Sequence, residues 1–120
     1  MSEIKSYRDL VAWQRAYATG KAVYGAAAKL PESERFGLMG SMRRTAVSIA
    51  SHIAQGYGRG NTQDYIWSLK QARGEIYQLD TQLLFALDFK YLPEPEYQSL
   101  KDRLDETERV LAGLIRSVGG

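Results

Sequence analysis

The chain has no cysteine, which excludes disulfides and thiolate metal sites and fits a reducing cytosol. It has one histidine, His52. A metal would have to rest on carboxylates alone, and no Glu-x-x-His pair occurs. No metal and no cofactor is therefore expected. No uncharged run approaches the ~20 residues needed to span a bilayer. The N-terminal Met-Ser-Glu-Ile-Lys-Ser-Tyr-Arg lacks the apolar core of a signal peptide. A cytoplasmic protein with no membrane partner is expected. No segment alternates with the period of two that marks a half-buried strand. Nucleophile elbow, P-loop and dinucleotide fingerprint are all missing, so a non-enzymatic role is expected. The formal charge of +2 is too small to demand nucleic acid, though a pI near 8.9 permits it.

What remains is helix. The 120 residues suit one domain, 1–120. Periodicity marks four segments, roughly 8–30, 34–57, 61–90 and 94–117. The first has a seam of Leu10, Trp13, Tyr17, Gly20, Tyr24 and Ala27, and the second of Leu38, Met42, Ala46, Ile49 and Ile53. In the third the seam is Tyr65, Leu69, Ala72, Ile76, Leu79, Leu83 and Ala86; in the fourth, Tyr97, Leu100, Leu104, Thr107, Leu111, Leu114 and Val118. Pro31 stops the first helix, and Pro93 and Pro95 separate the last two. Gly56, Gly58 and Gly60 end the second, and Asn61 or Thr62 caps the third. Short connections between helices of similar length make the fold class all-α, an antiparallel up-down-up-down four-helix bundle. Gly20, Gly25, Gly40 and Gly74 lie inside helices at about 1 kcal/mol each relative to alanine. Either another helix approaches closely there or the cost is simply tolerated.

Two faces carry more apolar or small surface than a monomer needs. On the third helix a stripe of Trp67, Gln71, Gly74, Gln78, Gln82, Phe85 and Phe89 contains no charge. A monomeric bundle would place lysine and glutamate on such an outer face, so the stripe predicts a protein interface. On the second helix Gly40, Arg44, Val47, Ser51 and Ala54 lie opposite the seam. These faces predict a homo-oligomer; the plain alternative is a helix buried on two sides within one bundle.

Charge is polarised. From Glu34 to Arg59 one acid meets four bases, Arg35, Arg43, Arg44 and Arg59, net +3. From Glu94 to Arg116 six acids meet four bases, net −2. Arg43, Arg44 and Arg59, with Tyr57 in the turn, form a candidate nucleic-acid site that grips phosphates and stacks a base. Lys70 and Arg73 are weaker members of that site. The structural reading of Arg43 and Arg44 is pairing with carboxylates such as Glu75 or Asp80, or across a subunit. Gly56-Tyr57-Gly58-Arg59-Gly60 reads as helix termination, since no Lys-Ser/Thr follows it.

Several motifs together are similar to a known family. They are Ser6-Tyr7-Arg8-Asp9-Leu10, Trp13-Gln14-Arg15-Ala16, Phe36-Gly37-Leu38, Arg43-Arg44-Thr45-Ala46-Val47-Ser48-Ile49 and Ile53-Ala54-Gln55-Gly56-Tyr57-Gly58-Arg59. Ala72-Arg73-Gly74, Leu79, Thr81-Gln82-Leu83 and Tyr91-Leu92 complete the set. The resemblance is to the four-helix-bundle proteins encoded in intervening sequences of bacterial large-subunit ribosomal RNA genes. It implies a cytosolic, non-enzymatic bundle that assembles as a cyclic homo-oligomer, notably a pentamer. A distant likeness to the accessory proteins of diversity-generating retroelements implies RNA or DNA as a partner, by analogy alone. This sequence departs from the family pattern at four positions. His52 stands where the family usually has Asn, Gln55 where it has Glu, Ser41 where it has Gln, and Gln78 where it has Glu. Two acids are thus replaced by amides, which makes the bundle more electropositive unless Glu75 compensates.

The leading expectation is a homo-oligomeric scaffold that binds RNA or DNA through repeated basic patches. The second is a protein-interaction module that uses Trp67, Phe85 and Phe89 and binds no nucleic acid.

Overall fold

A computed structural model describes residues 3–120. Four helices account for most of the chain: α1 (Val11–Ala27), α2 (Leu38–Gly58), α3 (Thr62–Asp88) and α4 (Glu94–Val118). No strand occurs among the described residues. At ~1.5 Å per residue, α3 is about 40 Å long, and it sets the 43 Å long dimension of the molecule.

Each helix packs on its two neighbours in chain order, and α4 closes the ring onto α1. Every adjacent pair is antiparallel by the residues it brings together. Gly20 meets Ala46, and Tyr24 meets Arg43, between α1 and α2. Gly56 meets Ser68, and His52 meets Glu75, between α2 and α3. Asp80 meets Lys101, and Tyr77 meets Glu108, between α3 and α4. Thr19 meets Thr107 between α1 and α4, and Lys29 just beyond α1 meets Glu96. The up-down-up-down bundle expected from the short connections is the fold observed.

The helix ends have local causes, and these shift the expected bounds. The first helix begins at Val11 rather than near residue 8, because Ser6 and Asp9 close a separate capping box. The Ser6 hydroxyl accepts from the Arg8 N–H at 3.1 Å, and the Asp9 carboxylate accepts from the Ser6 N–H at 3.2 Å. That box holds a short 3-10 turn, Tyr7–Asp9, after which Leu10 is extended. α2 starts at Leu38 rather than residue 34, because Glu32–Glu34 forms another 3-10 turn. Glu34 then accepts from the Leu38 N–H at 3.2 Å and supplies the missing cap. Asn61 caps α3 by accepting from the Asp64 N–H at 2.9 Å.

Of the three glycines expected to end α2, only Gly56 lies inside it. The helix runs through Gly56 and ends at Gly58. Gly56 is needed for packing, since a Cβ there would lie 2.7 Å from the Ser68 Cβ. Gly60, with φ of 86°, makes the turn itself.

The seams of α2, α3 and α4 fall where periodicity placed them. Met42, Ile49, Ile53, Leu69, Leu79, Leu83, Leu104 and Leu111 are fully buried. The seam of α1 is a correction. Its buried residues are Ala12, Ala16, Thr19, Gly20, Val23, Ala26 and Ala27. Trp13 is half-buried, and Tyr17 and Tyr24 are exposed. The reason is close approach: a Cβ at Gly20 would sit 2.6 Å from the Ala46 carbonyl oxygen. Helices that near leave no room for aromatic rings between them. The Thr19 hydroxyl bonds that of Thr107 at 2.9 Å, and Thr107 donates to the Arg103 carbonyl, so both buried hydroxyls are satisfied.

Of the other helical glycines, Gly40 abuts the Arg35 carbonyl, while Gly25 and Gly74 meet nothing of their own chain. The two kinds should respond oppositely to a methyl group. Gly20→Ala is expected to destabilise by about 1–3 kcal/mol through overpacking. Gly25→Ala is expected to stabilise by up to about 1 kcal/mol through helix propensity. Urea denaturation of both variants checks the pair.

Candidate functional site

Arg43 and Arg44 are consecutive on α2 and so point about 100° apart. Arg43 leans toward α1, with its guanidinium 4.8 Å from the centre of the Tyr24 ring. Its Nε is buried and has no hydrogen-bond partner. Arg44 points outward and donates to the Ser41 hydroxyl at 3.1 Å. The carboxylates proposed as partners are engaged elsewhere. Glu75 lies 3.7 Å from the His52 ring, and Asp80 forms an ion pair with the Lys101 ammonium at 3.1 Å. The hydrogen bond to Asp105, and then Asp80, hold the Lys101 ammonium well above its ordinary pKa. Neither arginine comes within 4 Å of Glu75 or Asp80, although Glu75 and Arg44 line one cavity.

The remaining expected nucleic-acid residues do not gather around that pair. Arg59 caps the C-terminus of α2, 15 residues from Arg44 in sequence, or ~22 Å along the axis. Lys70 and Arg73 sit on the flank of α3 that turns toward α4. Arg73 is near Tyr77, whose hydroxyl donates to Glu108 at 3.2 Å. Among the described residues no carboxylate lies within 4 Å of Arg43, Arg44, Arg59, Lys70 or Arg73. These five lie in three separate places, and Lys21, Lys90, Arg103 and Arg116 likewise have no carboxylate within 4 Å. Tyr57 is not a free stacking platform. It is half-buried and packs edge-on against Tyr65 at 6.2 Å. Burial, then Tyr57, push the Tyr65 phenol above its ordinary pKa.

The uncharged stripe of α3 is largely at the surface. Trp67, Phe85 and Phe89 are each half or more exposed, and Gln71, Gly74 and Gln78 are exposed between them. Phe85 and Phe89 pack with tilted rings at 5.6 Å, and Phe89 meets Tyr91 edge-on at 5.8 Å. Gln82 is the exception and a correction. It turns inward and is buried, and its amide oxygen has no partner. On the α2 face Val47 and Ser51 are exposed and Ala54 is half-buried.

The misplaced aromatic residues of α1 define a feature that sequence periodicity missed. Trp13, Tyr17 and Tyr24 line a cavity of about 310 Å³ between α1 and α2, with Tyr7 at one end and Lys21 along it. A second, more open cavity of about 520 Å³ continues past Tyr24 to Arg43, Arg44 and His52. The two share Tyr24, Val47 and Ser51. The signal for this groove was the competing row Ala12, Ala16, Thr19 and Val23, which has the spacing of a seam but smaller side chains.

Among the described residues no cluster of three or more metal-binding side chains occurs, and no helix is long and apolar enough to cross a membrane.

Arg43 tests whether the missing partner is real. Removing one half of a buried ion pair costs about 3–5 kcal/mol, whereas removing an unpartnered group costs little. Arg43→Met is expected to leave unfolding free energy within about 1 kcal/mol of the parent, or raise it; urea denaturation measures it.

A family model described as 23S rRNA-intervening sequence protein matches residues 8–113, which spans α1 to α3 and most of α4. A search of curated proteins finds no match.

Proposed function

The chain belongs to the 23S rRNA-intervening sequence protein family, and on that premise we propose that it is a non-enzymatic, self-assembling scaffold that binds RNA or DNA through repeated basic patches. The family description names no reaction. The observation that supports the reading is that Arg43, Arg44, Arg59, Lys70 and Arg73 belong to the cations with no carboxylate within 4 Å among the described residues. Each leaves a charge that a phosphate oxygen can satisfy.

Self-assembly rests on the α3 stripe. Trp67, Gln71, Gly74, Gln78, Phe85 and Phe89 present aromatic and amide surface with no charge, the composition of an interface core. A cyclic homo-oligomer, with a pentamer as the family's habit, would repeat each basic place around an axis. Three weak places per subunit then act together by avidity. Dispersed cations suit this reading better than they suit a monomer, which would need them on one face.

A protein-interaction module without nucleic acid is the second reading. It is favoured by the same half-exposed Trp67, Phe85 and Phe89, which a foreign protein could cover as well as a second copy.

Two measurements separate these readings. In fluorescence anisotropy with a structured ribosomal RNA fragment, affinity should fall steeply between low and moderate salt. Arg44→Ala and Arg59→Ala should each weaken binding and lower the salt slope by about one per lost phosphate contact. Light scattering should give a mass several times that of one chain, reduced to one chain by Trp67→Lys with Phe89→Lys. A monomeric parent ends the scaffold reading, and no RNA binding at low salt leaves the interaction module.

A further inference from the structure

We propose that the groove between α1 and α2 is a site for unpaired nucleotides, with bases against the aromatic row of α1 and phosphates against Lys21, Arg43 and Arg44. The proposal rests on the nucleic-acid reading above and specifies its strand form and its site.

The row presents its free aromatic surface at Tyr17 and Tyr24, since Trp13 is half-buried and Tyr7 meets it edge-on at 5.2 Å. Trp13 and Tyr17 are stacked at 4.9 Å with only 14° between their planes. Tyr24 follows seven residues later on the same flank of α1, about 10.5 Å along the axis. Tyr17 and Tyr24 keep nearly half of their surface exposed. Each exposed ring carries a cation: the Lys21 ammonium is 4.7 Å from the Tyr17 ring centre, and the Arg43 guanidinium 4.8 Å from that of Tyr24. Alternating aromatic faces and cations is what a single strand offers its charges and bases to. The opposite wall is made of small residues of α2, Ala46, Ala50 and Ala54, which leave the groove open.

Charge decides between occupants. No carboxylate lines either cavity of the groove. Lys21, Arg43 and Arg44 have no ion-pair partner among the described residues. Arg43 lines the groove, where the terminal N–H groups of its guanidinium can donate to a phosphate oxygen. The uncharged α3 stripe of a second copy would bring no carboxylate to answer three cations. A base-paired duplex would satisfy the cations but keeps its base faces stacked inside, away from Trp13, Tyr17 and Tyr24.

The test uses two probes with the full-length protein: a 12-nucleotide single-stranded RNA of mixed sequence, and the duplex of that sequence. The single strand is expected to quench tryptophan emission saturably in the parent and not in Trp13→Phe. Tyr17→Ala is expected to weaken single-strand binding about tenfold, to change duplex binding less than about twofold, and to leave the light-scattering mass unchanged. Lys21→Ala should weaken the single strand without altering far-ultraviolet circular dichroism, which guards against a variant that merely misfolds. Equal affinity for both probes overturns the proposal. So does single-strand binding without Trp13 quenching, which leaves the broader nucleic-acid reading standing. Loss of assembly in Tyr17→Ala would show that a second copy fills the groove and also overturns it. Binding of neither probe removes this inference together with the nucleic-acid reading.

Discussion

The close approach of α1 to α2 governs much of the surface of this bundle. Gly20 lies against the backbone of Ala46, and the buried side of α1 is otherwise Ala12, Ala16, Thr19, Val23 and Ala26. Small side chains let the two helices come together, and dispersion over the shared surface holds them there. The same approach expels every large ring of α1 from the interior. Trp13, Tyr17 and Tyr24 must then line the outer groove. An aromatic groove on the outside is thus the consequence of a narrow interface on the inside.

The arrangement of charge follows from helix order. Because α3 stands between α2 and α4, the acids of α3 are drawn to partners on both sides: Glu75 to His52, Asp80 to Lys101. Arg43 faces α1 instead, which offers it the Tyr24 ring and no carboxylate. Its guanidinium is held by a π face and is left with an unsatisfied Nε. Most of the ion pairs that form, such as Arg15 with Glu106 and Lys29 with Glu96, use the acidic α4. These are partly exposed and contribute little individually to stability. Arg43, Arg44 and Arg59, on α2 and at its end, have no carboxylate within 4 Å among the described residues, although Glu75 lines one cavity with Arg44.

Legibility in the sequence varied by helix. Seams of large aliphatic residues, such as Leu69, Ile76, Leu79 and Leu83, were read correctly because burying them dominates the energetics. On α1 two rows had helical spacing, and the aromatic one was the more hydrophobic by size. Close packing chose the other. Gln82 was read as part of an outer stripe, yet it lies buried beside the core, because it stands three residues after Leu79 and four before Ala86, both fully buried. Of the candidate site, the identity of the five cations was legible, but their distribution was not. A linear charge count places Arg44 and Arg59 in one basic segment, although ~22 Å of helix separates them.

The sequence by itself determined the helical class, the four segments, their antiparallel order and the family. Those follow from local rules: periodicity, proline and glycine breaks, caps, and connections too short for any other path. Tertiary structure alone decided which face of α1 is buried, which acids are already taken, and hence which cations are free. These depend on residues distant in the chain competing for the same space and the same charge, and no pattern within one helix records the outcome of that competition.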